Sequence, residues 1–201
     1  MSVLLIHSHF GEVAPVYATA AREGQLTIVR ERDLRADDLA RAGGLITTTH
    51  LDQIGLLDHA DALQEMLNSG GRWFFNGHMM RRFVPGLDLY VPLKAPRRAD
   101  YALTRLYEHP LFAGIEQRQL EENRGVAGFY GRGHNPLPVG GQPVNGIGPA
   151  MLPVDWVWAR PQGGVIFSHA GNDLSGMIGD HGQGALLGRR IIDWCRGELA
   201  A

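Results

Sequence analysis

A chain of 201 residues is most simply one domain with room for a substantial core, and 44% hydrophobic against 20% charged residues is the balance of a globular protein. A formal net charge of −2, with Lys94 the single lysine among 19 basic residues, leaves no strongly basic field for a nucleic-acid backbone. No apolar run approaches the roughly 20 residues that span a bilayer, and His7 and His9 break the apolar start with no basic segment before it, so neither a membrane span nor a signal peptide is expected and the reading is cytoplasmic. Cys195 is the one cysteine, which excludes an intrachain disulfide and a Cys-based zinc cluster.

Ser2–Ile6 is a continuous apolar run, as expected of a strand buried on both faces of a parallel sheet. Glu12–Arg22 reads as a helix with Pro15 near its first turn, Leu26–Val29 as a second strand, and Leu34–Arg41 as a short amphipathic helix ended by Gly43-Gly44. Leu45–Thr49 is a β-branched third strand that stops at His50. Leu56, Ala60, Leu63 and Leu67 form one apolar stripe on a helix that Gly70-Gly71 terminates. Arg72–Phe75 is a fourth strand, Asn76-Gly77 a tight turn, and Met79–Phe83 a helix-compatible run stopped by Pro85. Four β/α alternations in 80 residues predict an α/β domain with a mainly parallel sheet.

Regularity fades after Pro85. Tyr101–Tyr107 reads as a strand, His109–Ile115 as a turn with apolar anchors, and residues 125–149 as a long irregular segment rich in Gly and Pro. Val154–Ala159 and Gly164–Ser168 flank Arg160–Gly163 as a hairpin, with Trp156 and Trp158 on one face. A closing helix carries Leu187, Ile191, Trp194 and Cys195 on its apolar face.

Ligands of open parallel sheets bind beyond the carboxyl ends of the strands. His7 and His9 follow the first strand, His50 the third, His78 the fourth and His169 the last, so five of nine histidines fall at that rim, with Asn76, Gly77, Asn172 and Asp173 in the same loops. Each imidazole singly also suits an ordinary hydrogen-bonded loop residue. Together they suggest a shared polar site for a small-molecule ligand. Two chemistries suit that set. His78 or His169 could act as general base, or His7, His50, His78 and His169 could hold a divalent metal such as zinc that activates water. Strand, glycine turn and helix around Gly77-His78 is the geometry of a nucleophile elbow, here without Ser or Cys. No G-x-S-x-G, G-x-G-x-x-G or P-loop is present, and Cys195 lies on an apolar stripe, so serine hydrolysis, dinucleotide binding and a Cys–His mechanism are not expected.

His109-Pro-Leu-Phe-Ala-Gly-Ile115, the segment Asp155–Asp173 and the helix Leu187–Gly197 resemble, in order and spacing, motifs of the ThuA-like (trehalose utilisation) branch of the class I glutamine amidotransferase-like superfamily. The resemblance implies one such domain over residues 1–201, a flavodoxin-like three-layer sandwich, and a ligand site at the strand ends, with carbohydrate as the suggested ligand class. The catalytic amidotransferases place Cys at the elbow and His-Pro-Glu after a late strand. Gly77-His78 and His169-Ala-Gly-Asn-Asp173 stand here instead, so Cys-dependent glutaminase activity is not implied. The alternative function is a non-catalytic interaction module with a degenerate elbow, the 125–149 segment making a homodimer contact.

Overall fold

In the computed structural model, which describes residues 2–8, 10–121, 130–174 and 183–201, eight strands form one sheet and two short ones form a ribbon. The strands are β1 (Val3–His7), β2 (Thr27–Arg30), β3 (Gly44–Thr47), β4 (Arg72–Asn76), β5 (Val91–Pro92), β6 (Leu103–Arg105), β7 (Gly133–His134), β8 (Gln142–Ile147), β9 (Leu152–Ala159) and β10 (Val165–His169). The helices are α1 (Pro15–Arg22), α2 (Ala36–Arg41), α3 (Gln53–Leu57), α4 (Ala60–Asn68), α5 (Gln117–Glu121) and α6 (Gln183–Arg196). Sheet order is β2-β1-β3-β4-β10-β9-β8-β6. The first five strands are parallel to their neighbours, and β9, β8 and β6 extend the sheet antiparallel. This is the mostly parallel, flavodoxin-like three-layer α/β sandwich.

Alternation along the strands divides the interior in two. On one face Val3, Leu5, Ile46, Phe74 and Phe167 pack with Tyr17 and Ala20 of α1 and Leu187, Ile191 and Trp194 of α6. On the other, Leu4, Leu45, Trp73, Phe75 and Ile166 pack with Leu39 of α2 and Leu63, Met66 and Leu67 of α4. Trp156 and Trp158 both lie on this second face, as their spacing predicts. Cys195 is buried, where the absence of hydration pushes its thiol pKa up. Among the described residues no helix is long and apolar enough to cross a membrane.

Three expectations change. The stripe from Leu56 to Leu67 is carried by two helices rather than one, the first capped by the Asp52 carboxylate, which accepts from the Ile54 and Gly55 N–H groups. Met79–Phe83 forms no helix. Its N–H groups are taken from outside: Met79 N donates to Asn135 Oδ1 and Met80 N to Gln53 Oε1. Met79, Phe83, Val84 and Leu87 then cover Trp73, Trp156 and Trp158 as an irregular apolar segment. The stretch 125–149 is irregular only in part, since Gln142–Ile147 is the penultimate strand of the sheet; residues 125–129 lie outside the described residues.

Candidate functional site at the strand ends

Three loops meet where β3, β4 and β10 end, and they are tied by named bonds. Thr49 N and Oγ1 both donate to Asp173 Oδ1, at 2.7 and 3.1 Å, and Thr49 Oγ1 also approaches the Gly171 carbonyl at 3.2 Å. Gly77 N donates to the His169 carbonyl at 2.8 Å. Asn76 Nδ2 donates to the Thr47 carbonyl, and Asn76 Oδ1 accepts from Leu174 N. Gly77 has φ 109°, and a Cβ there would lie 3.2 Å from Thr49 Cα, so glycine is required both for the turn and for the approach of the β3 loop. The turn is therefore sharp, but no helix follows it and the residue at its apex offers no nucleophile.

Behind this junction runs a polar row fixed by strand register. Arg105, Asn145, Asp155, His169 and Asn76 are successive cross-strand partners on β6, β8, β9, β10 and β4. Partners in register share a face, so their side chains meet. Arg105 Nε donates to Asn145 Oδ1 at 2.8 Å, and Asn145 Nδ2 donates to Asp155 Oδ2 at 2.6 Å. Tyr130 Oη donates to the same Oδ2 at 2.9 Å. Asp155 Oδ1 lies 2.6 Å from His169 Nδ1. Two donors on one oxygen favour a carboxylate, an acceptor only, so His169 Nδ1 is the donor to Asp155 Oδ1. Asp155 and His169 are both fully buried. Nε2 is buried without a hydrogen-bond partner among the described residues, packed against Gly171, with the Tyr130 ring edge-on at 4.7 Å. Burial and the neighbouring Asp155 charge push the Tyr130 pKa well above the usual phenol range, which keeps it a donor.

The rim itself carries His50, His78 and Asp173. His78 is exposed, but one face of its ring stacks on Tyr90 with centroids 3.7 Å apart. Partial burial lowers its pKa, helped by the neighbouring His169 and the Arg132 charge, so near neutral pH it is an uncharged imidazole. Burial raises the Asp173 pKa, while the two Thr49 hydrogen bonds and the His50 and His169 rings oppose that shift.

Of the residues expected from sequence, His50, Asn76, Gly77, His78, His169 and Asp173 lie at the ends of the neighbouring strands β3, β4 and β10 or in the loops that follow them. Asn172 is exposed in the same loop. His7 stands apart: its Nε2–H donates to the Gly11 carbonyl at 3.0 Å within its own loop. His9 lies outside the described residues. The four-imidazole metal centre of His7, His50, His78 and His169 is not formed; among the described residues no three His, Cys, Asp or Glu side chains come together as a possible ligand set. Three of the four rings have other company, His7 its loop carbonyl, His78 Tyr90, and His169 Asp155.

Asp155, Tyr130, Asn145 and Thr49 are the members that reading the sequence did not single out. Asp155 carried a signal, being the one charged residue within Val154–Ala159. Tyr130 and Asn145 carried none, because both sit in the stretch read as irregular.

No family model matches the chain, and no curated protein matches it. Its fold is found in a solved structure, that of a Thermoplasma acidophilum protein provisionally assigned as a GMP synthase component. The two superpose with a TM-score of 0.59 over 98% of this chain and 95% of that one, at 14% sequence identity. The likeness is one of fold: the chain shares that protein's α/β sandwich.

Proposed function

We propose that the chain binds a small polar, hydroxyl-bearing ligand at the rim between β3, β4 and β10, without a covalent intermediate at the elbow. The observation that carries this is the neutral, exposed imidazole of His78 on the β4 loop, whose Gly77 N–H is bonded to the His169 carbonyl, with the β3 and β10 loops tied through Thr49 and Asp173. His78 is the group placed to accept a proton from a bound hydroxyl or water. Fully buried His169 acts from behind, holding the Gly77 backbone through its carbonyl. The ThuA-like resemblance of the second half makes sugars and sugar derivatives the first ligands to screen.

The test is thermal shift with a carbohydrate panel on the wild type, His78→Ala and Asp173→Asn. A ligand at 100 times its Kd adds about 2.7 kcal/mol, which for a chain of this size raises Tm by about 5–10 °C. The shift is expected in the wild type and absent in the His78 variant. An equal shift in all three proteins, or none with any member of the panel, overturns the assignment. One observation favours the interaction-module reading instead, namely that the elbow lacks both nucleophile and helix. A stable homodimer with no ligand response would support it.

A further inference from the structure

A second cavity lies away from the His78 rim, at the ends of β1 and β2, and it is built from donors. It measures about 340 Å³ and is lined by His7, Ser8, Phe10, Arg30, Glu31 and Arg32. Parallel register makes His7 and Arg30 direct partners, which places their side chains on one face of the sheet. Ser8 Oγ is a buried hydroxyl without a hydrogen-bond partner among the described residues. Such a group is uncommon in a folded chain and marks where a ligand atom would satisfy it. Arg32 approaches Asp33 at 3.7 Å, with both side chains largely in water, a contact that constrains the guanidinium little. Glu31 is the one acid in the wall, and its Oε1 is engaged by the Asp52 N–H at 2.6 Å. A hydroxyl and two guanidinium groups around one space suit an oxyanion, because guanidinium offers paired N–H donors to adjacent oxygens.

The space is larger than an oxyanion needs. A second cavity of about 300 Å³ has Glu31 and Arg32 in common with it and is lined also by Ile6, Leu51, Asp52, Asp58 and His59. An organic part attached to a charged head in the first cavity would reach the second past Glu31 and Arg32, where carboxylates and an imidazole suit hydroxyl groups. We propose that the ends of β1 and β2 form a binding site for a small phosphate monoester. The phosphate sits on Ser8, Arg30 and Arg32, and the hydroxylated remainder lies towards Asp52 and His59. The dianionic charge of such a phosphate matches two guanidinium groups better than a single carboxylate would. This site is independent of the ligand assigned to the His78 rim.

Isothermal titration of the full chain at low ionic strength, with inorganic phosphate and with glycerol 3-phosphate, tests it. Both are expected to bind saturably, the ester more tightly because it also fills the second cavity. Arg30→Ala/Arg32→Ala, at exposed positions that leave the fold intact by circular dichroism, is expected to weaken both by about tenfold or more. Ser8→Ala weakens them by a smaller factor, glycerol alone does not bind, and His78→Ala changes nothing. Absence of saturable binding to the wild type, or undiminished binding to the double arginine variant, overturns the site. Loss on His78→Ala would instead place the phosphate at the other rim and overturn it equally.

Discussion

Replacing Asp155 by alanine removes the acceptor on which three buried donors depend. Tyr130 Oη, Asn145 Nδ2 and His169 Nδ1 lose their partner together, and each belongs to a residue no more than 1% exposed. An unsatisfied buried polar group costs about 1–3 kcal/mol, so three stranded donors set an upper range near 3–9 kcal/mol. Removing the carboxylate also relieves the cost of keeping a charge out of water, which offsets part of that loss. With that offset, we expect Asp155→Ala to cost about 3–5 kcal/mol, the lower half of the range. Against a total stability of about 5–15 kcal/mol this is a large fraction, and it should lower Tm by about 10 °C. Urea unfolding followed by tryptophan fluorescence and far-ultraviolet circular dichroism gives the number directly. Asp155→Asn separates charge from shape. Its amide oxygen can serve Tyr130 and Asn145, but its NH2 then faces His169 Nδ1, which must become an acceptor. The imidazole proton is therefore expected to move from Nδ1 to Nε2 at a cost of about 1–2 kcal/mol, visible in nitrogen-15 spectra of the ring. A loss below about 1 kcal/mol for the alanine variant, or an unchanged tautomer in the asparagine variant, would refute the network as drawn.

Three further outcomes follow from buried groups elsewhere. His109 is held neutral chiefly by burial, its pKa lowered from 6.5 to about 4, with Arg72 and Arg105 adding to the shift and Asp155 opposing it. Between those values the unfolded chain binds a proton that the folded chain refuses. Stability is therefore full above pH 6.5 and falls as pH drops towards 4, by at most about 3 kcal/mol; His109→Asn, which retains a side-chain acceptor for the Leu111 N–H, should flatten that slope in urea titrations. Cys195 is fully buried with its thiol pKa pushed up, so a thiol reagent should label it only as fast as the chain opens; prompt labelling under native conditions would contradict its place on α6. Gly44→Ala would drive a Cβ into the Cys195 backbone where β3 meets α6, and a loss of about 1–3 kcal/mol or more is expected from chemical denaturation.

The first half of the fold was legible because it obeys one rule repeated, an apolar strand, a loop and an amphipathic helix, through to β4. Beyond it, local pattern and tertiary pairing part company. Met79–Phe83 has helical residues but spends its N–H groups on Asn135 and Gln53, partners that no local reading supplies. Gln142–Ile147 contains Pro143 and Gly146, which disguise a strand that tolerates them at register shifts against β9. The Asp155–His169 pair turned on one residue of hairpin length. A connection of Arg160–Gly163 would set Ala159 opposite Gly164 and His169 opposite Val154. The observed pairing of Ala159 with Val165 sets His169 opposite Asp155. Likewise the rule that strand ends converge places His50, His78 and His169 at the ends of β3, β4 and β10, but ligand geometry depends on where each ring points, and hydrogen bonds decide that.

The polar row also determines which experiments can separate function from folding. Its charges can be buried only because register delivers partners at the same level on consecutive strands: Arg105 to Asn145, Asn145 to Asp155, and Asp155 to His169. An ion so placed is neutralised at about the cost of its desolvation, and taking away one member exposes that cost in the rest. Since the His169 carbonyl also receives the Gly77 N–H, any disturbance of the row reaches the elbow backbone without touching a ligand. A loss of binding in a His169 or Asp155 variant would therefore be compatible with either role. His78 escapes this ambiguity, because its ring lies at the surface on Tyr90 and takes no part in the row. An effect of His78→Ala on ligand affinity, with urea unfolding unchanged, is the result that only a binding role produces.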